Sequence, residues 1–328
     1  MRAPKMHPAA AAEPFVEAAE TGVLVADEEG GGRSLWQDAR RRFFQNKVAV
    51  ASLVWLAIVA AMALIGPLVA PWDYESVDWS VLGNIREAGR PSIESGHWFG
   101  TDELGRDLFA RTMQGTQISL MVGIVGALAA VVIGTLYGAI SGYAGGRVDG
   151  FMMRLVDILV SIPYMFVLIL LLVVVQASAF LQSIPGIQFI ALFVGIGAIS
   201  WFDMARIARG QTLSLKNREF VEAAIATGVR PFRIVTRHIV PNLMGIVVVY
   251  ATLLVPNMII FESFVSFLGL GVQEPATSWG ALLNDGAETL TRGTLWQIGF
   301  PLFFFVTTLF AFFFIGDGLR DALDPKDR

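Results

Sequence analysis

The stretch Glu219–Pro241, "EFVEAAIATGVRPFRIVTRHIVP", is charged and helix-prone, yet it separates two apolar runs each long enough to cross a bilayer. Helix-forming residues extend from the preceding "DMARIARGQTLSLKN" through Ala226. Gly228 ends them, because a helix C-terminus often needs a residue at positive φ and glycine takes that conformation without a Cβ clash. Pro231 suits the first turn of a second short helix, where its missing N–H would be unbonded anyway. Pro241 closes that second helix just before the next apolar run. The expected object is two short helices joined at Gly228 on one membrane surface. Phe220, Val221 and Ala224 face a partner, and Arg230, Arg233 and Arg237 crowd the second arm.

The surrounding chain puts this object at the edge of lipid. Hydrophobic residues make up 55% of it and charged residues 16%, a balance that fits lipid as the main solvent. The net charge of −4 says little, since placement relative to the membrane matters more than the sum. With no cysteine, disulfides and thiolate metal sites are excluded. The first apolar run starts near Val48 and is too long for the core of a signal peptide, so it reads as an uncleaved anchor.

A bilayer core needs about 20 apolar residues in a helix. Six segments qualify: 48–69, 118–140, 155–175, 189–208, 243–262 and 298–315, the fourth interrupted near its end by Asp203 and Arg206. The fold class is therefore an all-α membrane protein of six spans, and an even number puts both termini on one side. The flanks on that side hold 7, 2, 7 and 3 of the 24 Lys and Arg residues; only Arg86, Arg90, Arg106, Arg111 and Arg292 lie on the other. The positive-inside rule then makes the termini cytoplasmic.

Residues 1–33 are rich in Ala, Glu and Gly without hydrophobic periodicity, and read as disordered. In "RSLWQDARRRFFQNK", Leu35, Trp36, Ala39 and Phe43 share one helical face. This segment is either an interfacial helix with its arginines near anionic lipid headgroups or a positive flank that sets topology. The external loop 71–117 contains "HWFGTDELGRDLFARTMQGTQ", with turns expected at Gly100 and Gly105 and a short surface helix at 107–113. Docking an external partner and lidding a pore mouth are both open to it. The connection 176–188 is uncharged and turns at Pro185-Gly186.

Gly126, Ala130, Gly134, Gly138, Gly142 and Gly146 recur every fourth residue through the second span. Residues at i and i+4 share a helix face, so the span presents a groove that a second helix enters closely. The neighbour belongs to the same chain or to a second subunit; the same chain is the expectation.

No catalytic or nucleotide-binding element is visible. His7, His97 and His238 are far apart, and HExxH, GxSxG with triad partners and GxxxxGK[ST] are all missing. Catalytic residues, metal ligands, a resident cofactor and a nucleic-acid partner are not expected. If this chain moves a solute uphill, the energy comes from elsewhere, delivered through an element that moves as a unit when a partner pushes it.

Here a resemblance becomes specific. Glu222-Ala223-Ala224, then Gly228, then Pro241 at their spacings look like the EAA loop of permease subunits of binding-protein-dependent ABC importers. His238 and Val240 depart from the general pattern, but the form "RHIVPN" is that of peptide-importer members. "GTDELGRD", "SFLGLG", "SWGALL" and "GDGLRDALDPKDR" extend the likeness over nearly everything from Arg33 to Arg328, nearest the C-type permeases of oligopeptide importers. The resemblance implies a bacterial inner-membrane subunit that pairs with a B-type permease to form a path for oligopeptides. Two cytoplasmic ATPase subunits bind the ATP and drive it, and a periplasmic binding protein delivers the peptide. It implies that Glu222, Ala223, Ala224, Gly228, Arg230 and Pro241 form the contact with the ATPase. The domains are then a cytoplasmic tail (1–47), the first span (48–70), a periplasmic loop (71–117), the permease core (118–315, with the coupling helices at 209–241) and a cytoplasmic tail (316–328).

For the path itself the candidates are Glu262, Asn257, Pro256 and Pro163. Pro256 and Asn257 loosen the fifth span and free a backbone carbonyl, and Pro163 does the same in the third. Glu262, about 28 Å from Leu243 at helical rise, sits near the outer surface, to contact a peptide ammonium or to snorkel to water. Glu222 pairs either with a basic group of the ATPase or with Arg218, and Arg154–Asp157, Asp203–Arg206 and Asp317–Arg320 are spaced as local pairs. The rival readings are a dipeptide or metal-chelate permease of the same architecture, an ion-coupled secondary transporter, and a membrane-embedded hydrolase. A secondary transporter calls for a mid-membrane acid and alignable halves, neither of which is evident here.

Overall fold

A computed structural model describes residues 35–323, apart from the side chains of Leu35 and Ile199. The expected disorder of the N-terminal tail lies outside the described residues. The elements are α1 (Leu35–Gln45), α2 (Lys47–Val69), α3 (Leu108–Ala144), α4 (Gly146–Ser161), α5 (Tyr164–Ala177), α6 (Ile187–Leu215), α7 (Glu219–Ala226), α8 (Pro231–Ile234), α9 (Val240–Phe267), α10 (Trp279–Glu288) and α11 (Trp296–Leu323). Among the described residues there is no strand, only two isolated bridges, Val77 with Arg106 and Thr101 with Asp107.

Among the described residues five helices are long and apolar enough to cross a membrane, and α4 with α5, bent by 71° to each other, make up to a sixth when the pair is counted as one broken span. The all-α, multi-span expectation therefore holds, with one correction. The third span is not a straight helix: it breaks at Ile162–Pro163, where Pro163 caps α5 instead of loosening a continuous helix. Proline has no N–H to donate and restricts the residue before it, so the backbone turns there.

The second span is longer than hydropathy alone suggests. Asp107 caps α3 by accepting from the Ala110 N–H at 2.7 Å. Residues 107–113 are thus the cap and first turns of α3, where a separate surface helix was expected. α3 is the axis of the molecule. Its glycine face meets α6 within this chain: a Cβ on Gly134 would stand 2.6 Å from the Trp201 carbonyl oxygen, and one on Gly142 2.9 Å from that of Arg209. Higher up, Gly123 faces Ile259 of α9. Gly146 falls outside this interface, at φ +54° where α4 begins.

α1 is helical as expected and lies on the last helix. Ala39 and Phe43 are buried with Ala49, Ile315 and Ala322, while Trp36 is exposed. Asn46 then caps α2 through its side chain, accepting from Val48 and Ala49 N–H groups. The segment 316–323, expected as tail, continues α11. A Cβ on Gly318 would stand 2.5 Å from Ala49 Cβ, so glycine there lets α2 and α11 approach.

The loop 71–107 is built into the fold opposite the face that carries α7 and α8. Gly100 and Gly105 take positive φ, as the turns require. Asp102 accepts from the Leu104 and Arg106 N–H groups and pairs with Arg106 at 2.7 Å. Arg106 reaches Glu274 at 2.8 Å, which holds that carboxyl below its ordinary range. Buried Arg111 lies between Asp102 and Asp285, each at 3.4 Å. His97 joins Asp107 at 2.8 Å and Asp78 at 3.3 Å, while burial pushes the Asp107 carboxyl up. Gln297 donates to the Thr101 carbonyl, and Phe99 stacks on Phe300 at 4.0 Å. The "GTDELGRD" segment thereby clamps the segment after α9 and the start of α11.

Candidate coupling element and translocation path

α6 ends at Leu215, earlier than the sequence suggests, and its end is tied back by Lys216, which donates to the Tyr143 carbonyl at 2.7 Å. A turn then leads into α7, with Glu219 and Glu222 in its first turn, where acids complement the helix dipole. Gly228 takes φ +76° between α7 and α8, and Pro231 opens α8 as expected.

Two corrections concern this pair. Val221 and Ala224 do not face outward. They are buried with Ile234, Val235, Ile239 and Leu243, keying the pair into the cluster that also holds Val131, Ala139, Met204 and Ala208 of α3 and α6. The outward apolar side chains are Phe220, Ile225 and Phe232. Glu222, Ala223, Gly228, Arg230 and Pro241 are exposed, whereas Ala224 is an anchor. Glu222 makes no ion pair with Arg218 among the described residues.

Pro241, secondly, does not close the second arm. The helix continues through a π-turn at Val235–Ile239 into α9, with the Val240 N–H bonding the Val235 carbonyl five residues back. A proline ring clashes with the carbonyl four residues before it, and the wider turn relieves that clash without ending the helix. Asn242 donates to the His238 carbonyl at 2.6 Å, satisfying another acceptor of this turn. The second arm is therefore continuous with the fifth span, so displacement of α7–α8 acts directly on α9.

A polar pair locks the adjoining helices. Asp149 of α4 receives Arg209 of α6 at 2.5 and 2.6 Å and the Ser141 hydroxyl of α3 at 2.6 Å. Asp157 pairs across to Arg206 at 2.9 Å, in place of the local Arg154 and Asp203 partners that spacing suggests. Asp149→Ala is expected to lower stability by about 1–3 kcal/mol, since a charged hydrogen-bonded pair is lost. A thermal unfolding midpoint in detergent measures this, and Asp149→Asn falls between it and the native chain.

Of the four path candidates, Glu262 is placed differently from expectation. It is fully buried near the end of α9, so it neither snorkels nor meets a passing solute. Its carboxylate accepts from the hydroxyls of Ser119 at 2.9 Å, Ser266 at 2.6 Å and Ser263 at 3.3 Å. Ser119 also accepts from the Trp279 N–H, and Trp279 Nε1 donates to Thr116. This node fastens "SWGALL" at the start of α10 onto α3 and α9, and a Cβ on Gly280 would overlap the Ser263 carbonyl oxygen. A helix of ten residues in this position gives no hydropathy signal as a span, and the hint lay in Ser278, which caps it. Glu262→Ala is expected to cost about 1–3 kcal/mol by leaving buried hydroxyls without their acceptor, whereas Glu262→Gln, which keeps one acceptor oxygen, costs less. The thermal midpoints of the two variants separate these outcomes.

Pro256 is buried within α9, while Asn257 and Pro163 are exposed. Asn257 donates to the Leu253 carbonyl at 3.0 Å and lines a cleft with Tyr164, Ser200 and Asp203 beside the break in the third span. Sequence reasoning had set Asp203 aside as a local pair. Its charge within a span was the signal that points to this cleft.

Five long apolar helices and one bent pair thus carry an exposed helix pair keyed into α3, α6 and α9, the architecture of a multi-pass membrane protein. The chain belongs to the family described as binding-protein-dependent transport system inner membrane components, which residues 134–328 match. Residues 34–85 match the N-terminal transmembrane domain of oligopeptide transport permease C. Over 297 residues, 90% of this chain, it is 57% identical to the oligopeptide transport system permease protein OppC of Escherichia coli K12, covering 93% of that protein. It is 55% identical to the OppC protein of Haemophilus influenzae, covering 90% of it. With the dipeptide transport system permease protein DppC of Bacillus subtilis the identity is 45% over 295 residues, covering 87% of it. The protein is a multi-pass inner-membrane permease.

Proposed function

We propose that the chain is the C-type permease subunit of an ABC importer that carries oligopeptides inward. The observation that carries the reading is the α7–α8 pair: exposed on one side, buried on the other, and continuous with α9 through the π-turn. Such an element suits force received from a motor outside the chain. In this reading the termini and α7–α8 are cytoplasmic, two ATPase subunits dock there and bind the ATP, and this chain catalyses nothing itself. A B-type permease completes the path, and a periplasmic binding protein delivers the peptide to the clamped 71–107 face. The 57% and 55% identity to the OppC proteins of Escherichia coli and Haemophilus influenzae supports an oligopeptide as the substrate.

The test is reconstitution in liposomes with a B-type permease, two ATPases and a peptide-binding protein. Peptide-loaded binding protein is expected to stimulate ATP hydrolysis and drive peptide uptake, with dipeptides and metal chelates competing poorly. Uptake driven by a proton gradient with no ATPase present overturns the reading in favour of a secondary transporter.

A further inference from the structure

The cleft beside the broken third span has a chemistry of its own. Asp203 lies about 24 Å along α6 from Ile187 and about 18 Å from Leu215, at a rise of about 1.5 Å per residue. Since α6 outruns a hydrocarbon core about 30 Å thick, Asp203 sits in the half of the span nearer α7, about 8 Å before the expected span end at residue 208. It is exposed on the surface of the chain. A carboxylate at such depth is costly against acyl chains and belongs beside water or another protein. Arg206, one turn away, is engaged by Asp157 at 2.9 Å. Among the described residues nothing donates a hydrogen bond to Asp203.

Two helix irregularities meet at this place. One is the 71° break between α4 and α5. The other is Pro256, whose missing N–H leaves the Thr252 carbonyl without its usual intrahelical donor. Irregular backbone at membrane depth is tolerated where it lines a cavity. The cleft holds about 150 Å³, room for one residue and not for a whole peptide. Its polar lining favours a cation: the Asp203 carboxylate, the Tyr164 and Ser200 hydroxyls, and the Asn257 carbonyl oxygen, left free because its amide donates to Leu253. Tyr164 and Phe261, edge to face at 5.2 Å, add ring faces that attract an ammonium.

We propose that this cleft is a station on the translocation path that takes the ammonium group of a passing peptide, with Asp203 as its counter-charge. The proposal rests on the peptide-permease reading above. It predicts a site that exists in the assembled permease without the delivery protein.

The native chain has no cysteine, so a Ser200→Cys substitution places one thiol of this chain in the cleft. The assembled transporter is treated with a water-soluble methanethiosulfonate, with and without millimolar tripeptide. The free-amine tripeptide is expected to slow labelling about fivefold, the same tripeptide N-acetylated to leave it unchanged, and Asp203→Asn to abolish the protection. Asn257→Cys gives a second vantage if the first variant fails to assemble. Equal protection by both peptides, protection that survives Asp203→Asn, or a thiol that never reacts overturns the proposal. The last outcome places the cleft against the partner permease instead. Loss of ATP-driven peptide uptake by the native assembly would instead sink the functional reading, so the two failures are told apart.

Discussion

Gly138→Leu is expected to abolish accumulation of folded protein. A mere Cβ on Gly138 would overlap the Ala205 carbonyl oxygen and stand 2.8 Å from both Ala208 Cβ and the Arg209 nitrogen. Two of these three atoms are backbone, so no rotamer change relieves the contact; α3 and α6 must separate. Separation opens the cluster of Val131, Ala139, Met204 and Ala208 that also seats α7 and α8. Overpacking typically costs about 1–3 kcal/mol, and a parting of two spans along their length should exceed that range. The measurement is the fraction of protein recovered as a single species by size exclusion after mild detergent extraction. Gly210→Ala, on the same helix pair but with open space around its Cβ, is the contrast. It should be neutral or stabilising by up to about 1 kcal/mol, since alanine favours a helix over glycine. Normal recovery of Gly138→Leu would show that the small-residue groove is not what brings these helices together.

Gly228→Val is expected to remove most peptide uptake while the protein still inserts and folds. Nothing lies within 4 Å of a Cβ at Gly228, so the penalty is conformational and not a clash. At φ +76° an L-residue costs about 1–2 kcal/mol, and a β-branched one more. The chain escapes by re-angling α7 against α8, which displaces the exposed Phe220, Glu222 and Phe232 from their mutual geometry. Docking of a motor should weaken and uptake fall by at least about tenfold, equivalent to about 1.4 kcal/mol of coupling. Gly228→Asn should behave almost normally, because asparagine tolerates the left-handed region. Uptake assayed alongside ATP hydrolysis in the reconstituted assembly checks both. Equal uptake by the valine and asparagine variants would remove the hinge from the mechanism.

Much of this architecture was legible without coordinates. The repeated apolar spans, the helix pair with its turn at Gly228 and the groove of small residues all follow from composition and spacing. The misplacements share one cause. Val221 and Ala224 read as a docking face because an apolar stripe on a short helix is the same whether it meets its own chain or another. Glu262 read as a surface acid because its distance along the helix is legible, but the hydroxyls of Ser119 and Ser266 that receive it are brought together only by folding. Asp157 and Arg206 lie 49 positions apart, and no local spacing rule pairs them.

Hydropathy, charge asymmetry and turn residues are sums over neighbouring positions, so the chain by itself determined that it crosses a membrane repeatedly, which segments do so, and where the exposed helix pair bends. The tertiary structure decided what each face meets. A span that is apolar all round carries no period to say which side faces lipid and which faces protein. Close approach of backbones at Gly134 and Gly138, the break at Pro163 and the burial of Glu262 settle that question through contacts distant in sequence. The cleft around Asp203 exists only because three such helices are packed together.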